Sequence, residues 1–422
     1  MYKKTTLDNG LRIITHPMPR MLSAALGIWI KVGGRYESSQ NKGISHYLEH
    51  LVFKGSRRYS CRQIKESIEG VGGSLNGFTS EELTCYLVKL PSRHLDLALD
   101  ILSSMVADPL LSAEDIAKER TVILEEIKMH KDVPQSYVYE LLDALLWPGH
   151  PLGATITGTE ESVGRINREN LSAFQERYYV PANIVVSAAG LLEHDQLAAK
   201  VKKAFTRAKT KQGDKFQATK KTQLKPQLKI FHKDTEQTHF TLGFHSFKRG
   251  HPLKYALGLL HVIMGANMSS RLFNEVREKR GLAYEIGTQV RAFDDTGAFI
   301  VHAGIDNRKV IDALKLILEE LEEVKDKPVS PGELKRAKEF YSGQLTLALE
   351  DTLDHMLWIG ECTASLDKTY TLEEVIKEVR RVGPQDIQKT AGQIFKENSL
   401  NLALIGPIQD IQDEIYQKLR LA

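Results

Sequence analysis

The two halves of this chain repeat one another, and that repetition restricts its possible folds more than any other feature. "SAEDIAKERTVILEEI" (112–127) lies over "SPGELKRAKEFYSGQL" (330–345) with a constant offset of 218 residues. "HYLEHLVFKG" (46–55) lies over "LGLLHVIMGA" (257–266) with an offset of 211. Near the end of each half, "INRENLSAFQERYYVPANIVVSAAG" (166–190) matches "VGPQDIQKTAGQIFKENSLNLALIG" (382–406). Each reads as an amphipathic helix, a short loop and an apolar strand ending in glycine. Matches that keep their order imply one unit used twice.

Within the first half the pattern mixes strands and helices. "LDNGLRIITH" reads as a strand entered through an Asp-Asn-Gly turn, and residues 22–32 alternate as a buried strand. Residues 43–53 read as a buried helix, and "GGSLNGFTSEELTCYLVKL" as two paired strands turning at Ser80–Glu82. Helices are expected at about 93–107 and 113–131, the second opened by Ser112 with Asp115 three residues on, a variant capping box. The expected fold class is α+β: two similar domains, each a mostly antiparallel sheet packed with helices. A basic, aromatic-poor stretch from Lys202 to Lys229 cannot bury much surface and reads as the connection. The expected domains are 1–208 and 228–422, with 209–227 as linker.

Composition narrows the functional classes. A net charge of +3 is too small to make nucleic acid or an anionic membrane the expected partner. The longest apolar stretch, "LSAALGIWIKV", is far short of a membrane span, and no secretory signal is visible at the N-terminus. Three widely spaced cysteines suggest neither a disulfide framework nor a cysteine metal site, so a cytoplasmic protein is expected.

The chemistry concentrates in "GISHYLEHLVFKG" (43–55). Residues i and i+4 of a helix share a face, so His46 and His50 can aim their rings at one point, where Zn²⁺ needs ligands about 2.0–2.1 Å away. Glu49, too near His50 along the helix to be an easy third ligand, suits the general base that takes a proton from the attacking water. This is the H-x-x-E-H order. Two such histidines also describe a buried core in which both rings bond backbone carbonyls. A catalytic zinc needs a third protein ligand, and the helix over "KERTVILEEIKMH" offers Glu119, Glu125 and Glu126. Glu119 and Glu126, seven apart, share a face, with apolar Val122 and Ile123 beside them. A solvated acidic face would look the same, and spacing alone leaves Glu125 and Glu126 both open.

With these residues the sequence resembles the pitrilysin family of metallopeptidases, which includes insulin-degrading enzyme and the mitochondrial processing peptidase. The family's ligand Glu follows H-x-x-E-H by about 76 residues, as Glu126 follows His50 here. The resemblance implies one Zn²⁺ per chain on His46, His50 and Glu126, Glu49 as base, and Glu119 as a carboxylate behind the ligands. The offsets carry His46 onto Leu257, Glu49 onto Leu260 and Glu126 onto Gln344, with only His50 keeping its type, as His261. One active and one degenerate half is the family's arrangement.

In "SSRLFNEVREKRGLAYEIG" the family places an Arg and a Tyr seven apart, matching Arg277 and Tyr284. The resemblance makes them donors to the substrate carbonyl as it becomes tetrahedral. Alternatively, Arg277 is one solvated cation among several and Tyr284 an ordinary strand residue. In "GGSLNGFTSEE" the family has an exposed edge strand to which extended peptides add, with Asn76 and Thr79 flanking the bound chain. The short "MGANMSSRL" lacks the long glycine-rich loop of the mitochondrial enzyme's non-catalytic subunit, which argues against presequence processing.

The expected function is a zinc-dependent endopeptidase that cleaves short or unfolded peptides in a closed chamber formed by a homodimer. The alternatives are a non-catalytic core or assembly subunit, which needs no intact His46, Glu49, His50 and Glu126, and the catalytic half of a heterodimer.

Overall fold

Within residues 22–32, which alternate in the sequence, Ser23–Ile30 forms a strand buried on both faces, because the sheet around it is covered on both sides. The structure, a computed structural model, describes residues 1–205, 215–220 and 223–421. Strands β1 (Lys3–Thr6), β2 (Arg12–Pro17), β3 (Ser23–Ile30), β4 (Ser74–Thr79), β5 (Thr84–Pro91) and β6 (Ile184–Gly190) form one sheet in the order β1-β2-β6-β3-β5-β4. Every pairing is antiparallel except β2 with β6. Seven of the eight residues of β3 are buried, which explains its nearly continuous apolar run.

One face of this sheet packs on helices Ile44–Val52 and Leu95–Ala107, whose Tyr47, Leu48, Leu51, Ile101 and Leu102 meet Ile28, Tyr86 and Val88. Each such fully buried side chain stabilises by roughly 1.5–3 kcal/mol. The other face holds Trp29, Cys85 and Val185 against Met356 and Ile359 of helix Thr352–Leu366.

Strands β7 (Gln227–His232), β8 (Gln237–Ser246), β9 (Ala283–Ala292), β10 (Gly297–Asp306) and β11 (Leu400–Gly406) form the second sheet, ordered β7-β11-β8-β10-β9. Its first two strands are parallel and the rest antiparallel. Setting β7 on β2, β8 on β3, β9 on β4, β10 on β5 and β11 on β6 gives the same order and directions, with β1 as an addition. The duplication read from the sequence is therefore a duplicated topology. Helix Pro134–Leu146 covers this sheet with Val138, Leu142 and Leu146 packed on Ile300, Ala403 and Ile405.

The compact units are not the contiguous halves expected from composition. One comprises residues 1–128, 154–217 and 346–371, the other 129–153, 218–345 and 372–422. Each unit takes one helix-bearing segment from the other half of the chain, a departure from the boundaries at 208 and 228. Linker charge is a local property, whereas the destination of an amphipathic helix depends on which sheet face receives it. Of the expected linker 209–227, residues 209–214 and 221–222 lie outside the described residues. Among the described residues, no helix is long and apolar enough to cross a membrane.

Candidate metal centre

Helix Ile44–Val52 begins at Gly43, which takes φ +86°, a left-handed conformation that glycine adopts without strain. Gly43 has no side chain to cap the helix, so the cap comes from upstream. The buried Glu37 carboxylate accepts from the N–H of Gly43 at 2.7 Å and of Ser45 at 2.8 Å. Negative charge there complements the exposed N–H groups and the helix dipole. The same segment grips the turn after β4: Gly34 N–H donates to Ser80 O at 3.1 Å and Arg35 N–H to Glu81 O at 2.8 Å. Arg35 also pairs with Glu82 at 2.6 Å, both buried. A Cβ on Gly33 would stand 2.0 Å from Ser80 O, so only glycine permits this approach. Residues 33–37 thus tie the start of the histidine helix to the turn that ends β4.

On this helix His46 and His50 lie with ring centroids 4.5 Å apart. Helix Ala113–Asp132 brings Glu126 to them: its Oε2 is 3.7 Å from His46 Nε2 and 3.8 Å from His50 Nε2. Glu125, which spacing alone left open, is exposed and pairs with Lys128 at 2.8 Å. Behind the group, His50 Nδ1 meets Glu119 Oε2 at 3.0 Å, and Lys54 Nζ meets Glu119 Oε1 at 2.6 Å. A carboxylate only accepts, so Nδ1 carries a hydrogen towards Glu119, and Nε2 is the ring nitrogen that faces Glu126. His50 is therefore not a core histidine bonded to a carbonyl. Val122, expected to be an apolar neighbour, is 49% exposed; Ile123 is the buried one.

The donor set fits a zinc ion. Its three ligand atoms lie within 4.8 Å of one another. Two ligands at about 2.0–2.1 Å from a tetrahedral ion stand roughly 3.4 Å apart, a few tenths of an ångström less than the two Nε2–Oε2 separations. Two imidazoles and one carboxylate are also the donor types of a catalytic zinc. Among the described residues this is the one such group.

Glu49 stands beside the group, and Thr79 Oγ1 donates to its Oε2 at 2.9 Å. Burial raises its pKa, while the Thr79 hydroxyl and His50 pull it down and Glu126 adds to the rise. Thr79 is the last residue of β4, one of the two edge strands of its sheet. Asn76 lies exposed on the same strand, its Oδ1 accepting from Gly77 N–H at 2.8 Å. In the second unit, Arg277 has its guanidinium carbon 5.7 Å from the Tyr284 ring centroid, and Tyr284 is 74% exposed. The degenerate positions there behave as core or surface: Leu257 and Leu260 are buried and Gln344 is exposed. His261 bonds Thr288 Oγ1 at 2.7 Å.

Two contributors escape a reading of the sequence. Lys54 carries the i+4 signal from His50, which a helix pattern can flag. Glu37 carries none, since its partners are backbone groups brought to it by loop closure.

Glu119→Gln should weaken zinc binding by roughly 10–100-fold while the protein stays folded, because the carboxylate that orients His50 is lost. Competition with a metal indicator dye measures this, and unchanged affinity would remove Glu119 from the site.

Glu37 supplies a pH test. Burial pushes its carboxyl from 4.5 up to about 7, against its bonds to Ser45 and Gly43 and the charge of Lys42. The folded state then holds this proton more tightly than the unfolded chain does. The stability it contributes is full below about pH 4.5 and is lost as pH rises through about 7. Across that window wild type should lose on the order of 3 kcal/mol relative to Glu37→Gln. Urea unfolding of both proteins at several pH values measures it; parallel profiles would refute the shift.

Residues 12–160 match the family described as Insulinase (Peptidase family M16), and residues 165–341 match its Peptidase M16 inactive domain. A protein of Bacillus subtilis (strain 168) named Uncharacterized zinc protease YmxG is 36% identical over 407 residues, 96% of this chain and 98% of that one. A solved structure of a protease from Helicobacter pylori aligns with a TM-score of 0.91 at 23% identity, over 96% of this chain and all of that one. One of a peptidase M16 inactive domain from Pseudomonas fluorescens aligns at 0.90 and 18% identity, over 96% and 98%. The two structures establish likeness of fold. With 36% identity to a relative over almost its whole length, and both family domains matched in order, this chain belongs to the M16 peptidase family.

Proposed function

We propose that the chain is a zinc-dependent endopeptidase acting on short or unfolded peptides. The observation that carries this reading is the convergence of His46, His50 and Glu126 with Glu49 beside them but outside the donor set. His46, His50 and Glu126 would hold the zinc, which when bound acts as a Lewis acid on the scissile carbonyl and its attacking water. Glu49, with its pKa raised by burial, takes the proton from that water and later passes it to the leaving amine. Glu119 and Lys54 keep His50 in the tautomer that leaves Nε2 free for the metal. The substrate lies extended along β4, where backbone pairing positions the bond abreast of Thr79. Arg277 and Tyr284, adjacent and with the phenol exposed, donate to the carbonyl oxygen as it gains charge. Two copies pair to enclose the substrate in a chamber, in keeping with the resemblance.

Purified chain should carry one zinc, run as a dimer, and cleave an unfolded peptide library while sparing a tightly folded protein. Metal analysis, native mass and digestion of both substrates test this together. A metal-free chain that cleaves nothing even after zinc is restored would favour the assembly-subunit reading, and rapid digestion of the folded protein would remove the chamber.

A further inference from the structure

Strand β4 has two ends with different chemistry. At one end Thr79 donates to Glu49 at 2.9 Å. At the other, Ser74 lies five residues back, or about 17 Å at 3.4 Å per residue. There a cleft of about 990 Å³ opens, lined by Gly72 and Ser74 and by Arg20, Lys89 and Arg93. Among the described residues its lining holds no carboxylate. Lys89 is met from outside by Asp351 at 2.5 Å, and Arg93 Nε donates to His94 at 3.0 Å. Arg20 and Arg93 are both exposed, so the cleft keeps a net positive charge. Leu22, 85% exposed, adds an apolar wall.

A peptide added to the edge of β4 spends its backbone groups on the strand, and such pairing is indifferent to side-chain identity. Selectivity then falls where the strand ends and side chains meet fixed charges. We propose that this cleft is a distal subsite that takes an acidic side chain of the same extended peptide, about five to seven residues from the bond cleaved. The proposal rests on the peptidase reading above and adds to it a substrate class: peptides with a carboxylate well removed from the scissile bond. The guanidinium groups present paired donors that match a carboxylate fork. Solvent reaches them, so the attraction is modest and screened by salt.

The test uses zinc-loaded Glu49→Gln protein, which holds peptide uncut, and fluorescein-labelled twelve-residue peptides in which one Glu–Glu pair is moved along a Gln-rich sequence. Wild type locates the cleaved bond in each peptide by mass spectrometry. Anisotropy should show about three- to tenfold tighter binding when the Glu pair stands five to seven residues from that bond. A pair within two residues of it should give no gain. The preference should vanish in 0.5 M NaCl and on adding Arg20→Glu and Arg93→Glu, with Arg20→Gln and Arg93→Gln intermediate. Equal affinity of acidic and neutral peptides, or a preference that survives charge reversal, overturns the subsite. Cleavage of the all-Gln peptide by wild type, read separately, tests the peptidase reading. Cleavage without acid preference sinks the subsite alone. Acid-dependent binding with no cleavage by zinc-loaded wild type sinks the peptidase reading and leaves a peptide-binding cleft.

Discussion

Glu49→Gln is expected to lower kcat by roughly 10²–10⁴-fold while bound zinc stays at one per chain. The carboxamide is nearly isosteric, and its oxygen can still accept from Thr79 Oγ1, which stands 2.9 Å from the Glu49 carboxylate. It cannot accept the water's proton. The metal survives because Glu49 is outside the donor set of His46, His50 and Glu126. His50→Ala makes the contrast, since it removes a donor and also strands Glu119, now facing His50 Nδ1 at 3.0 Å. That variant should lose metal and activity together. Metal analysis beside a peptide assay separates the two losses; wild-type turnover by Glu49→Gln would remove Glu49 as the base.

Tyr284→Phe should lower kcat by about 10²–10³-fold with zinc unchanged, the typical result of removing one donor to a developing oxyanion. Its phenol is 74% exposed, so removing the hydroxyl leaves no cavity, and the fold should tolerate the change. A role across a dimer makes a further demand. Mixing inactive Tyr284→Phe with inactive Glu49→Gln subunits should restore activity, because each mixed dimer has one site with both an intact base and an intact tyrosine. If the pair acts within one chain, no mixed dimer has a complete site and mixing restores nothing. Full activity of Tyr284→Phe alone would remove the role altogether.

The repeat, the α+β class, the family and the pairing of His46 with His50 were legible in the order of the amino acids. Those properties live in short-range spacing: i and i+4 on one helix put His46 and His50 on a common face, and order-preserving matches expose a duplication whatever the final packing. Tertiary structure decided the rest. Glu126 rather than Glu125 faces the histidines because helix Ala113–Asp132 presents that face to them, a rotation that a run of acidic residues does not encode. Glu37 became the cap of the histidine helix only when the loop at Gly43 folded back onto it, since both its partners are backbone N–H groups. The exchange of helices Pro134–Leu146 and Thr352–Leu366 between the units was also invisible. An amphipathic pattern states that a helix must bury one face, but the two sheets share a topology, and only three-dimensional packing selects which of them receives it.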